Sequence, residues 1–477
     1  MPMSDVLLFL SLVTAPLLYG AVSFSSQIFL AVLSVIIFNS VYFSRPEALS
    51  KELRSPFAWL GLGMLVFILF QLAPLPVTLL KAISPSTYQF YAQYFPGGIG
   101  SIQAKTLSLY PSDTQRGLMQ FMTYALMFLS VLMRLTLKEK EAEPVHPVSF
   151  RKSQYLKLGC LIGILSLLFH SIYDFNLHIT ANGIYFVVLL ALAVGASRES
   201  YDHAFFRRAV SFIITFGFLI AVFAIAQKFS FNGRIYWVGI KALDPVGPYY
   251  NYDHYAGFME LCAAVAVSMV VASIFHTSFF HQKGLVKKVV WFSTREANNT
   301  LRYLFMATVM VSTIFLSSSR GGIMSFVLSQ LVFFFIVVWA AWRARKGGRL
   351  AAAIVTMVLL ITVMVMWLGP EVFLEKFHLL FVENIIKMEG PIGVRLLFYQ
   401  QTLHVIKDFP MFGTGLNTFG TNFTRYRTFD YTDDYLRYTH NDYLQLVSET
   451  GVAGVIFLIC FLGLFLFYAV RVIRKLE

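Results

Sequence analysis

Long apolar stretches alternate with short polar ones along nearly the whole chain. About twelve of them approach the roughly 17–25 residues that carry a helix across a bilayer. They lie near 6–24, 27–43, 56–73, 116–137, 156–173, 182–197, 209–228, 255–277, 302–317, 322–342, 350–369 and 451–470. The pattern predicts an all-α, polytopic membrane protein of about 12 transmembrane helices. One polar interval, 370–450, is far longer than the rest and precedes the last span. Its first part carries Val372, Phe373, Phe377, Leu380, Phe381 and Ile385 at near-helical spacing, with Glu371, Glu375, Lys376, Glu383 and Lys387 between them. That spacing predicts a helix lying along the membrane surface. A second helix is predicted over 393–408, stopped by Pro410 and the glycines at 413, 415 and 420.

Composition agrees with that class. Hydrophobic residues make up 57% of the 477 and charged residues 13%, with mean hydropathy +0.67. That is more apolar surface than a soluble core absorbs. Cys160, Cys262 and Cys460 all fall in apolar stretches, which offers no disulfide framework and no metal-ligand spacing. The first apolar run lacks a basic n-region and a small-residue cleavage site, so it reads as a retained span.

Charge orients the bundle. With the N-terminus inside, every inside segment is basic: Arg45/Lys51/Arg54, Lys138/Lys140/Arg151/Lys152, Arg198/Arg207/Arg208, Lys283/Lys287/Lys288/Arg295, Arg343/Arg345/Lys346/Arg349 and Arg471/Arg474/Lys475. The outside turns at 25–26 and 174–181 have no Lys or Arg. The positive-inside rule then places both termini in the cytoplasm and leaves 74–114, 229–254 and 370–450 as outside loops. The net charge of +13 follows from this topology and from attraction to anionic membrane lipids, so it calls for no nucleic-acid partner.

Three polar elements fall on the predicted outer side. Ser317-Ser318-Ser319-Arg320-Gly321-Gly322 interrupts two spans, where an arginine costs roughly 2.5–3.5 kcal/mol unless it lies at the surface or faces a polar cavity. Its glycines suit a close backbone approach to a ligand, and its hydroxyls and amides suit anionic oxygen. Arg395 stands in the first turn of the second loop helix. His440 precedes the return to the bilayer, where Asn441, Gln445 and Glu449 share a helical face at i, i+4, i+8. Taken singly, Arg320 also reads as a snorkelling anchor, Arg395 as an ordinary surface arginine and His440 as a hydrogen-bonded structural histidine.

As a set they resemble a known signature. The run Leu316 to Gly322 is similar to the signature of the O-antigen ligase and O-antigen polymerase superfamily. So are Gly393-Val394-Arg395 with Asp408-Phe409-Pro410-Met411-Phe412-Gly413-Thr414-Gly415, and Thr439-His440-Asn441-Asp442-Tyr443-Leu444-Gln445 with Ser448-Glu449-Thr450-Gly451. Upstream, Asn251-Tyr252-Asp253-His254-Tyr255-Ala256-Gly257 resembles an outside loop of many members. The segment His170 to Asn182 looks like an element usually found near the C-terminal end of these proteins, yet here it precedes the core. The resemblance divides the chain into an N-terminal transmembrane bundle (1–204), central spans with the Asn251–His254 outside loop (205–299) and an O-antigen ligase-like catalytic core (300–477).

What the resemblance implies is a glycosyltransferase on the outer, periplasmic face of the bacterial cytoplasmic membrane, fed by an undecaprenyl-diphosphate-linked glycan. Arg320 and Arg395 would hold the diphosphate by bidentate, charge-assisted bonds and stabilise the charge that grows on departure, so no metal and no cofactor is expected. His440 would take the proton of the acceptor hydroxyl, with inversion at the anomeric carbon. Asn441, Tyr443, Glu449, His254 and Asn251 are candidate supporting or acceptor-site residues. The acceptor is open between the lipid A–core, the growing glycan and a protein hydroxyl, the last making a protein O-oligosaccharyltransferase. A polysaccharide flippase or transporter is less favoured, because the ionisable groups gather in outside loops and avoid mid-membrane positions.

Overall fold

The computed structural model describes residues 1–95, 104–137, 147–198, 200–242, 245–275, 277–279, 282, 284–343, 391–427 and 437–476. These are helical almost throughout. Among the described residues one antiparallel two-stranded patch occurs, β1 (Leu75–Pro76) on β2 (Ala104–Lys105).

The first half of the bundle comprises α1 (Met3–Leu17), α2 (Phe24–Ser44), α3 (Pro46–Glu52) and α4 (Pro56–Leu72), two short loop helices α5 (Val77–Ile83) and α6 (Pro85–Tyr94), then α7 (Pro111–Leu135), α8 (Pro147–His170) and α9 (Thr180–Ala196). There follow α10 (His203–Phe229), α11 (Tyr252–Phe275), α12 (Leu285–Trp291), α13 (Arg295–Leu316), α14 (Arg320–Arg343), α15 (Pro391–Asp408), α16 (Phe419–Phe423) and α17 (Asp442–Arg474). Local sequence explains where many of them begin. Ser23, Ser55, Asp202, Thr294 and Asn441 each accept a backbone N–H at the helix start, and Pro56 and Pro111 occupy first-turn positions that lack an N–H partner in any case.

Among the described residues eight helices are long and apolar enough to cross a membrane, or nine if α3 and α4, bent by 81°, form one span. The predicted twelve are therefore not all matched by full-length helices. The first stretch stops at Leu17, beyond which Gly20 takes a positive φ of 74° against the Tyr249 ring. The sixth, expected over 182–197, falls on the 17-residue helix Thr180–Ala196, which follows the 3₁₀ turn Asn176–His178. The stretch 350–369 and the surface helix expected over 371–388 lie outside the described residues. Each of the other stretches falls on a helix.

One apolar cluster runs from Leu8 to Val472, with α8, α9 and α11 at its centre. Polar contacts collect at its two ends. At one end Arg134 joins Asp5 (2.6 Å) and Asp202 (2.7 Å), Arg208 joins Asp5 (3.1 Å), Arg198 joins Glu52 (2.6 Å), and Lys475 donates to the Ser197 carbonyl (3.0 Å). Both chain termini are thus tied to one end. The opposite end carries the turns 171–179, 251–254, 317–320 and 408–419 and the start of α17.

Candidate active site

His440 lies just before α17 in a left-handed backbone conformation, φ 54°, which is uncommon for a residue other than glycine and has to be held in place. Several contacts hold it. The Tyr399 hydroxyl of α15 donates to the His440 carbonyl at 2.9 Å. Asn441 caps α17 through the amides of Tyr443 and Leu444 (3.0 and 2.9 Å). The Asp442 amide donates to the Ser171 carbonyl at 2.9 Å.

The imidazole itself is fixed by Asp174, whose Oδ1 lies 3.0 Å from His440 Nδ1. Phe175 meets the same ring edge-on at 5.0 Å. Asp174 is buried, and burial alone opposes its ionisation. The hydrogen bond from His440, with the nearby His254, His440 and His170, instead holds its carboxyl well below the usual carboxylate range. An ionised Asp174 accepts from Nδ1–H, which leaves Nε2 as the basic nitrogen of a neutral His440.

Asp174 belongs to the segment His170–Asn182, which thus stands beside the histidine motif. A second pair crosses the first. His178 Nδ1 lies 2.7 Å from Asp442 Oδ1, and the Leu177 amide donates to Asp442 Oδ2 at 3.1 Å. Burial disfavours the His178 cation, yet the bond to Asp442 and the charges of Asp442 and Glu449 raise its pKa on balance.

The two arginines approach from the other side. Arg395 Nη2 is 3.7 Å from Asp253 Oδ2, and Ser319 Oγ donates to Asp253 Oδ1 at 2.5 Å. Asp253 thereby links α15 to the turn that opens α14. Arg320, the first residue of α14, is exposed and forms no ion pair with a described residue. Its two glycines face protein, contrary to the expectation of a backbone approach to a ligand. A Cβ on Gly321 would lie 3.0 Å from the His170 ring, and one on Gly322 would lie 2.6 Å from the Ala256 Cβ. They let α14 seat on α8 and α11, and a Cβ at Gly321, the residue after Arg320, would lie 3.5 Å from the Tyr173 Cβ.

The remaining sequence candidates take supporting positions. Asn251 accepts the Asp253 amide at 2.7 Å and shapes that turn. His254 is buried, edge-on to Phe175 at 4.9 Å. Tyr443 donates to the Leu168 carbonyl at 2.7 Å. Glu449 makes no contact with His440. Its carboxylate accepts from the amides of Asn417 (2.6 Å) and Phe419 (3.2 Å) and from Gln445 (3.0 Å). There α17 breaks at Gly451 (φ 63°), and the Gly413–Gly415 loop laces into the gap, with Val452 N donating to Pro410 O at 2.8 Å and Thr414 N to Ser448 O at 3.1 Å. Sequence reading missed Asp174 and Asp253. Each lies within a segment already singled out, Asp174 between His170 and His178 and Asp253 just before His254.

The structure is thus a polytopic helical bundle with an exposed arginine, a second arginine and an Asp-oriented histidine at one end. Residues 305–459 match the family model described as O-Antigen ligase. The match covers about a third of the chain and supports a likeness to the O-antigen ligase and polymerase superfamily and to polysaccharide biosynthesis. No curated protein and no solved structure matches it. The matched region contains Arg320, Arg395 and His440, while Asp174 and Asp253 lie upstream of it.

Proposed function

We propose that the protein is a metal-independent, inverting glycosyltransferase that moves a glycan from an undecaprenyl-diphosphate donor to an acceptor hydroxyl. The active site faces the periplasm, with both termini in the cytoplasm, as the basic segments indicate. The observation that carries this reading is the convergence of Arg320, Arg395 and the His440–Asp174 pair on one polar end of the bundle. Arg320 and Arg395 grip the diphosphate, and an incoming phosphate displaces Asp253 from Arg395, a contact already loose at 3.7 Å.

His440 Nε2 takes the proton from the acceptor hydroxyl while Asp174 steadies the imidazolium through Nδ1. The acceptor oxygen forms its bond to the anomeric carbon as the bond to the diphosphate oxygen breaks. The electron pair leaves with the diphosphate, whose charge the arginines offset. Attack from the face opposite the leaving group inverts the anomeric centre. Protein hydroxyls as acceptors are the second reading, since the donor chemistry is the same.

The test is His440→Ala in purified enzyme supplied with a polyprenyl-diphosphate glycan. Transfer should fall by about 10²–10⁴ with donor affinity kept, and excess chelator should leave wild-type transfer unchanged. Full activity in the variant removes His440 from the mechanism. Loss in chelator with rescue by one divalent ion overturns metal independence.

A further inference from the structure

Two loop segments meet at the end of α15 farthest from Arg395. One is α6, a helix with no charge of its own and with Tyr88, Phe90, Tyr91 and Tyr94 among its ten residues. The other follows α16 and brings Arg425 and Tyr426. The Arg425 guanidinium lies 4.7 Å from the ring centres of both Phe90 and Tyr94, and the Tyr426 hydroxyl donates to Asp408 at 2.7 Å. On the neighbouring face of the helix Lys105 stands 4.1 Å from the Phe95 ring and 5.3 Å from that of Tyr91, and Lys81 stands 5.3 Å from Tyr88.

Lys81 and Lys105 are the only lysines or arginines between 74 and 114, and both stand on this one helix. Among the described residues neither they nor Arg425 forms an ion pair. A cation over a ring face is attracted to it and keeps its full charge, so it still offers N–H donors to an anion. The rings add an apolar surface on which the C–H side of a sugar can lie, and Tyr94 and Arg425 are exposed. The other exposed positions of α6 are Pro85, Gln89, Ala92 and Gln93. That set suits water and not a bilayer, against which an interfacial helix lays a face of Leu, Phe or Trp.

The position fits a glycan whose reacting end lies in the candidate active site. From Arg395 to its end at Asp408, α15 covers about 20 Å at about 1.5 Å per residue. A glycan whose diphosphate sits at Arg395 and which runs along α15 meets the aromatic surface several sugars out. We infer that α6 with Lys105 and Arg425 is a glycan subsite remote from the point of transfer, and that it selects sugars bearing carboxylate or other anionic groups. The inference rests on the transferase reading and names its substrate class, an acidic polysaccharide.

The test measures binding of two free oligosaccharides of equal length, hexagalacturonate and the neutral maltohexaose, to full-length protein in phosphatidylcholine nanodiscs. Wild type should bind hexagalacturonate with an affinity that falls as salt rises, and should bind maltohexaose far more weakly. Arg425→Gln and Lys105→Gln should each weaken hexagalacturonate binding by about three- to fivefold, Tyr94→Ala should weaken it too, and Arg425→Lys should restore most of it. Equal binding of the two sugars, no hexagalacturonate binding by wild type, or wild-type affinity in both Gln variants overturns the inference. Phosphatidylglycerol gathered by wild type from mixed nanodiscs and released by both Gln variants, with no hexagalacturonate bound, would assign the cations to lipid headgroups and overturn it as well. Transfer assays separate the two readings. Selective binding by a wild-type protein that transfers nothing sinks the transferase reading and leaves the subsite standing. Transfer with unchanged KM for an acidic-glycan donor in both Gln variants sinks the subsite alone.

Discussion

Asp174→Asn probes the site most sharply, because it removes a charge and almost no volume. Asp174 Oδ1 lies 3.0 Å from His440 Nδ1. For two unit charges at that distance, Coulomb's law with an effective dielectric near 20 gives roughly 5 kcal/mol. That is an upper bound, since His440 is about a quarter exposed and water screens part of the interaction. A net loss of about 3–5 kcal/mol matches what breaking one partner of a buried pair costs. The interaction is needed most when His440 holds the acceptor's proton, so the loss should fall on kcat. We expect a decrease of about 10²–10⁴, with donor KM within about threefold of wild type. The assay is single-turnover transfer of a labelled glycan, with donor binding measured separately. A structural role alone would lower the amount of folded protein and leave kcat per folded molecule intact. The pH dependence adds a second check. Asp174 has its carboxyl held below the usual range, so its contribution to stability is full above the unfolded value of about 3.9 and is lost as pH falls through the folded value. The Tm gap between wild type and Asp174→Asn should therefore hold steady from pH 5 to 8 and close only in strong acid. An Asp174→Asn enzyme transferring glycan within threefold of the wild-type rate would refute the reasoning.

Arg320→Lys and Arg395→Lys keep the charge and lose the guanidinium fork, so each should raise donor KM roughly tenfold or more; unchanged donor affinity in both would remove the diphosphate assignment. Gly413→Ala places a Cβ on the Glu449–Thr450 peptide at a φ of +66° and should cost about 2–4 kcal/mol, visible as a lowered Tm, whereas Gly463→Ala, with open space around it, should leave Tm unchanged or slightly raised. Single cysteines at Thr421 and Gly347, in a background free of Cys160, Cys262 and Cys460, should react with an impermeant thiol reagent on opposite sides of the membrane; labelling from one side only would overturn the orientation.

The helices were the most legible part, because an apolar run of about twenty residues has few alternatives to a span. The misfit was the first stretch, where one residue decides. Gly20 ends the first helix early. Arg320, Arg395 and His440 stood out because a charge or imidazole in an apolar chain is conspicuous. Their partners did not stand out. Asp174 is 266 residues from His440, and no local periodicity joins them. Gly321 and Gly322 show a different limit. A missing Cβ serves a ligand's approach and a helix's approach equally, and only the positions of His170 and Ala256 tell the two apart. The Gln445–Glu449 spacing correctly signalled a shared helical face, since the two side chains bond at 3.0 Å. Which loop that face meets depended on the fold.

The crossed pairing explains how an element displaced along the chain can stand in this site. Residues 174 and 178 supply an acid and a histidine, and residues 440 and 442 supply a histidine and an acid, each bonded to the opposite type. Slipping either segment by one residue would break both pairs at once and strand buried charges, so the register is locked from two points. Nothing in that lock depends on chain order. It asks only that the 171–179 turn sit at the end of a helix packed against α17, and α8 provides that contact. The strained φ of His440 is then held by bonds on both flanks, from Tyr399 to its carbonyl and from Asp442 to Ser171. Rigid placement of this kind is what a proton acceptor needs in order to meet its substrate without reorganising.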